Sequence, residues 1–186
     1  MELFTENYFR TYRNQNLRGL SGLKNSAKNE GQSYNPQFDV FLSHSTLDKE
    51  VIEGIWQFLS DRGLKVYVYW IVDPKLAHGV VDKSNAELLR LRMDQSKSLI
   101  YASSPNAEGS SWMSWEVGYM DGRTPRKCAI LPVVKHSQES FHDREFMDLY
   151  PKIELERLAY ADKPIIFGGT WESKTVETWA RQTVNL

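Results

Sequence analysis

At 186 residues the chain has room for one domain of ordinary size and an appendage, and not for two full domains. With 41% hydrophobic and 25% charged residues and a formal net charge of −1, it can fill a core but carries no basic field that would recruit nucleic acid or an acidic membrane. The single cysteine, Cys128, excludes an intrachain disulfide or a CxxC metal cluster. The longest apolar run, Val66 to Val72, is strand-sized rather than membrane-spanning, so a cytoplasmic location is expected.

Residues 1–36 stand apart. Leu3 and Phe4, Tyr8 and Phe9, and Tyr12 recur at roughly helical spacing, which predicts a short amphipathic helix. The stretch from Gly19 to Ser33, rich in Ser, Gly, Lys and Asn, reads as a linker. The segment is therefore expected to be an N-terminal extension, a loosely docked arm rather than a partner-binding helix, ahead of a domain over residues 37–186.

From Phe38 onward, short apolar runs alternate with helical patterns. The runs are Phe38–Ser43, Leu64–Trp70, Ser98–Ala102, Cys128–Val134 and Pro164–Phe167, several nearly continuous, as parallel strands buried on both faces require. Ser45-Thr46-Leu47-Asp48 reads as a capping box ahead of Val51, Ile52, Ile55, Phe58 and Leu59, with Gly63 as the stop. A second box, Ser84-Asn85-Ala86-Glu87, precedes Leu88, Leu91 and Met93. Ser110 or Ser111 can cap a third helix ending near Asp121-Gly122, and Ser173 a last one through Val176, Trp179 and Ala180. Strands alternating with helices predict a flavodoxin-like, doubly wound, five-stranded parallel sheet of order 2-1-3-4-5, with Phe38–Ser43 in its interior. Ligands of such sheets bind beyond the carboxyl ends of the strands. Here those ends are Ser43–Ser45, the loop after Trp70, Ser103–Asn106 and the helix that follows.

Several signatures are missing: GxGxxG, GxxxxGK[ST], GxSxG and any HExxH-like spacing of His44, His78, His136 and His142. No metal is expected. The informative segment is Ser110-Ser111-Trp112-Met113-Ser114-Trp115-Glu116-Val117-Gly118. Trp112 and Glu116 are four residues apart, so on a helix they share a face. A carboxylate beside an indole suits a cationic, planar leaving group attached to a ribose. Alone, W-x-x-x-E occurs by chance in many helices.

The context makes it specific. Phe38-Asp39-Val40-Phe41-Leu42-Ser43-His44-Ser45, with Asp48 following, resembles the first strand and following loop of Toll/interleukin-1 receptor (TIR) domains. Leu64-Lys65-Val66-Tyr67 and Ser98-Leu99-Ile100-Tyr101-Ala102-Ser103 resemble the second and third strands, Ser110-x-Trp112-x-x-x-Glu116 the αC motif of NAD⁺-cleaving members, and Cys128–Val133 the next strand. The likeness runs in order from residue 37 to about 183. Two departures stand out. Val68-Tyr69-Trp70-Ile71 replaces a short polar exit from the second strand, and the loop at Val72–Val81 (the BB loop) has only Asp73-Pro74 in place of an Arg-Asp-x-x-Pro-Gly run.

The resemblance implies that Glu116 is the catalytic glutamate and Trp112 the tryptophan packed one turn before it. It places His44 near the bound nucleotide, Trp115 at the pocket flank and Asp73 in the BB loop. Ser43, Ser103 and the Ser45 amide are placed to hold the diphosphate; Cys128 reads as a small buried hydrophobe. The implied activity is cleavage of NAD⁺, a substrate rather than a cofactor, at its nicotinamide–ribose bond. Water as acceptor gives ADP-ribose, and an adenine nitrogen or ribose hydroxyl of the same molecule gives a cyclic isomer. The family also implies self-association through TIR–TIR contacts at the BB loop, and a messenger read by a separate effector in antiphage immunity. A non-enzymatic TIR scaffold and a nucleoside deoxyribosyltransferase-like enzyme are the alternatives.

Overall fold

The structure, a computed structural model, describes residues 2–74, 76, 83–107, 109–137, 139, 141, 145–157, 162–168 and 173–182. It begins with a two-residue strand, β1 (Phe4–Thr5), and two helices, α1 (Glu6–Gln15) and α2 (Leu17–Gly31). The expected linker is thus a helix. Its polar composition hides a stripe of Leu20, Leu23 and Ala27 that packs onto the core, while Gly19 and Gly22 sit over open space.

Nor is the arm loosely docked. Phe4 and Phe9 are buried and stacked, with Phe58 edge-on to both. α1 crosses α3 (Lys49–Ser60) at Gly54, where a Cβ would lie 2.2 Å from the Phe9 carbonyl oxygen. One residue before it, the buried Glu53 takes Arg13 Nε at 2.7 Å and Lys24 Nζ at 2.5 Å. Burial alone would raise the Glu53 carboxyl, but the two cations outweigh it and hold the group below its ordinary value.

The sheet continues through β2 (Phe38–Ser43), β3 (Val66–Tyr67), β4 (Ser96–Ser103), β5 (Cys128–Val134), β6 (Lys152–Arg157) and β7 (Asp162–Phe167), in the order β3-β2-β4-β5-β6-β7. β2 lies between β3 and β4, inside the sheet as expected. Every neighbouring pair on this path is parallel except β6 and β7. β1 runs parallel to β5 at Phe4 and Val133, beyond the point where β6 pairs with Ile130. Glu2 in turn bridges Leu155 of β6.

Two strand assignments need correction. The fifth parallel strand is Lys152–Arg157, not Pro164–Phe167, which belongs to an antiparallel edge strand. β6 buries only Ile153 and Leu155 among Lys, Glu and Arg, so it lacks a continuous apolar run. The second strand stops at Tyr67, and Tyr69–Val72 forms one turn of helix, α4. An aromatic-rich apolar run of this length fits either state.

The central strands bury both faces. Ile100 and Ala102 of β4, with Ala129, Leu131 and Val133 of β5, face the cluster that includes α1, α3 and α7 (Val176–Arg181). Leu99, Tyr101, Cys128 and Ile130 face the other side, with Leu89 and Met93 of α5 (Lys83–Asp94) and Met113, Val117 and Met120 of α6 (Ser111–Arg123). This is a doubly wound α/β fold, and it brings the carboxyl end of β2 beside the first turns of α6. Among the described residues no helix is long and apolar enough to cross a membrane.

Candidate active site

A cavity of about 480 Å³ opens where the fold rule places ligands, past the ends of β2 and β4. Its walls include His44, Ser45, Leu47, Tyr69, Asn106 and, from α6, Trp112 and Glu116. α6 is positioned by Ser110, whose hydroxyl accepts from the Met113 amide and so fixes the first turn that carries Trp112. Trp112 and Glu116 both face the cavity, as their spacing requires.

Glu116 is only 6% exposed. Its Oε2 accepts a 2.5 Å hydrogen bond from Ser43 Oγ at the end of β2. Burial pushes the carboxyl up to about 7, against the opposing pull of that hydrogen bond. The site thus holds a carboxylate that ionises near neutrality, poised to meet positive charge in a poorly solvated place.

His44 follows Ser43 in the chain and is buried. Its ring stacks on Tyr69 with centroids 4.8 Å apart and planes 8° from parallel, and meets Trp70 edge-on at 4.4 Å. Nδ1 lies 2.6 Å from the Leu42 carbonyl oxygen. Burial pushes the imidazole down to about 4, so it is neutral at physiological pH.

The remaining sequence-derived residues divide. Ser45 lines the cavity, with its hydroxyl accepting from the Leu47 amide. Ser43 is turned to Glu116 rather than held free for a diphosphate. Ser103 is buried and off the cavity lining. Trp115 also lies off the lining, packed edge-on to Trp112 at 5.2 Å with the Arg90 guanidinium over its ring. Asp73 is committed elsewhere: Arg92 grips both its oxygens at 2.8 and 2.9 Å, and Tyr67 donates to it at 3.0 Å. It ties the end of α4 to α5 and does not reach the cavity. Of the BB loop, Lys75 and residues 77–81 lie outside the described residues; Leu76 lines the cavity.

The structure adds Tyr69, Asp48 and Asn106 to the site residues named from the sequence, Asn106 at the end of the stretch Ser103–Asn106 that the fold rule marks. Asp48 is almost fully buried and takes hydrogen bonds from Ser104 Oγ and, at 2.6 Å, from Asn106 Nδ2, which fastens the loop after β4 to the turn after β2. The signal for Tyr69 was the departure at Val68–Ile71. In the sequence Asp48 reads as part of a capping box and of the resemblance that follows the first strand, and α3 receives no side-chain cap from it. Among the described residues no group of three or more His, Cys, Asp or Glu side chains is arranged to hold a metal ion.

A profile of the TIR domain matches residues 40–160. The chain belongs to the TIR domain family. It is 37% identical, over its whole length and 96% of the relative, to a Bacillus cereus protein named "Probable 3' cyclic ADP-D-ribose synthase ThsB'". It is also 36% identical, over 43% of this chain and 27% of the relative, to "NAD(+) hydrolase TirS" of Staphylococcus aureus. The end-to-end match includes residues 1–36, which lie outside the span the TIR profile matches.

Proposed function

We propose that this TIR domain breaks the nicotinamide–ribose bond of NAD⁺ and closes the remaining ADP-ribose into a cyclic ADP-ribose. One observation carries the reading: a buried carboxylate, Glu116, faces the cavity one helical turn from Trp112 and is held by Ser43. The relatives' names support the same substrate, and the one matching end to end supports a cyclic product closed through a 3′ position.

The chemistry asks little else of the protein. Departure of nicotinamide leaves positive charge on the ribose C1′ and its ring oxygen, and Glu116 in its ionised form stabilises that charge. Nicotinamide leaves as a neutral ring, so no general acid is required. In cyclisation a hydroxyl of the adenosine ribose attacks C1′, forms the new glycosidic bond and loses its proton. Water in place of that hydroxyl gives ADP-ribose. NAD⁺ is the substrate and no cofactor enters. The indole of Trp112 supplies an aromatic wall for the pyridinium.

The cavity is open and Leu47 at its edge is 76% exposed, which supports a second copy of the chain as the cover that completes the site. The product would then serve as a cytoplasmic messenger to a separate effector in antiphage defence. Incubation with NAD⁺, followed by chromatography and mass spectrometry, tests the activity. Release of nicotinamide with a product one water lighter than ADP-ribose is expected, and intact NAD⁺ would refute the reading. Rate per protomer should climb with protein concentration while sedimentation shows assembly.

A further inference from the structure

His44, in the cavity lining, holds a buried atom whose chemistry is fixed by the protein and left unanswered. A carbonyl oxygen only accepts, so the His44 nitrogen 2.6 Å from the Leu42 carbonyl must be the one that carries hydrogen. The other nitrogen, Nε2, then bears the lone pair. Nε2 is buried and has no hydrogen-bond partner among the described residues, although His44 lines the cavity. The ring cannot swing to find one. Tyr69 covers its face, Trp70 abuts it, and rotation would break the bond to Leu42. The low pKa of the buried ring keeps Nε2 unprotonated, so it stays an acceptor throughout the physiological range.

Leaving such an acceptor dry carries a desolvation cost, and a ligand in the cavity that His44 lines is placed to relieve it. We infer that His44 Nε2 is a specificity-determining acceptor for a neutral N–H or O–H donor on the nicotinamide-riboside half of the substrate. That half is assigned because Ser43, the preceding residue, is bonded to Glu116, where the glycosidic bond must lie. Two groups on it offer such a donor: the carboxamide N–H of nicotinamide and a hydroxyl of its ribose. A nicotinic acid in place of nicotinamide would instead bring a carboxylate against a lone pair and close to a second carboxylate, Glu116. This inference rests on the proposed NAD⁺ reaction.

The test uses two substitutions that share a single loss. His44→Phe keeps the ring stacked on Tyr69 and removes both nitrogens. His44→Asn gives up the stacking but keeps an N–H donor for the Leu42 carbonyl. Each variant, checked for a cooperative melt, is assayed with NAD⁺, with nicotinic acid adenine dinucleotide, and with an NAD⁺ analogue lacking the 2′-hydroxyl on the nicotinamide side. The wild type should favour NAD⁺ over one of the two analogues by about 10- to 100-fold in kcat/KM. Both variants should bring that ratio close to one, mainly through a higher KM for NAD⁺. Collapse of the gap with the nicotinic acid analogue identifies the carboxamide as the donor; collapse with the deoxy analogue identifies the hydroxyl. Equal treatment of all three substrates by the wild type, or an equal slowing of all three in the variants, would overturn the inference. Calorimetric titration of NAD⁺ into Glu116→Gln protein, with and without His44→Phe, separates the two readings. Weaker binding in the double variant supports the acceptor even if the wild type releases no nicotinamide, whereas unchanged binding removes it even if the wild type is active.

Discussion

Replacing Glu116 with glutamine separates two demands made on this position. The side chain keeps its size and can still accept from Ser43, but it cannot ionise. In the native protein the carboxyl ionises at about 7 rather than at its ordinary 4.5, because it is buried. At about 1.4 kcal/mol per pKa unit, holding it charged costs the fold about 3 kcal/mol relative to the unfolded chain. The sign follows from the direction. A raised carboxyl contributes stability that is complete below the unfolded pKa and is lost as pH rises through the folded one. Wild type and Glu116→Gln should therefore melt alike near pH 4.5. They should separate progressively as the pH climbs, and by pH 8 the variant should be about 2–3 kcal/mol more stable. For a chain of this size that is roughly 5–10 °C in Tm. NAD⁺ cleavage should vanish in the variant, and in the wild type kcat/KM should rise with pH through about 7, as the ionised form accumulates. Calorimetric melts at pH 4.5, 6 and 8, alongside nicotinamide release, measure both effects. A variant that is active, or that loses stability at pH 8, refutes the reasoning.

Ser43→Ala removes the hydrogen bond that pulls the Glu116 carboxyl down, so the acidic limb of the pH–rate profile should move to higher pH and activity at pH 7 should fall; an unmoved limb would detach Ser43 from the glutamate. Asp73→Asn weakens the forked pairing with Arg92 and leaves a mostly buried guanidinium short of charge, so it should destabilise by about 3 kcal/mol, read by urea denaturation, with KM for NAD⁺ unchanged in the folded fraction. A raised KM without lost stability would return Asp73 to the substrate. Gly54→Val drives two methyls toward the Phe9 backbone and should cost about 1–3 kcal/mol by the same measurement; a neutral result would mean that α1 is not seated on α3.

What was legible in the sequence follows the physics of burial. β2, β4 and β5 carry continuous apolar runs because helices cover both faces, and their positions were read correctly. The pairing of Trp112 with Glu116 was equally visible, since helical periodicity alone puts them on one face. Failures came where a tertiary partner decides the outcome. β6 is held by β5 on one side and β7 on the other, and its one-faced, charged pattern has no strong local signal. α2 looks like a linker until Leu20, Leu23 and Ala27 meet the core. Asp73 was assigned by loop position, and only the fold reveals Arg92, nineteen residues later, as its partner. Nothing local in Asp48 or Asn106 marks them as partners across the cavity rim, because their meeting joins the loops after two different strands.

The N-terminal residues bear on the site through one corner of the fold. β3 is two residues long and α4 only four, so the segment bearing Tyr69 and Trp70 has little backbone ladder of its own. Its support comes from α2. Trp70, like Leu23 and Ala27, packs against the cluster that contains Leu20, and Gly31 lets α2 approach so closely that a Cβ there would lie 2.1 Å from Val72 Cγ1. Lys24, on the same helix, is anchored to Glu53 of α3. Tyr69 and Trp70 in turn fix the plane of the His44 ring, and with it the direction of the one nitrogen left for substrate. A displacement of α2 would therefore reach the cavity through two packed layers without touching Glu116. Through that physical chain α2, outside the span of the TIR profile, supports the wall of the cavity.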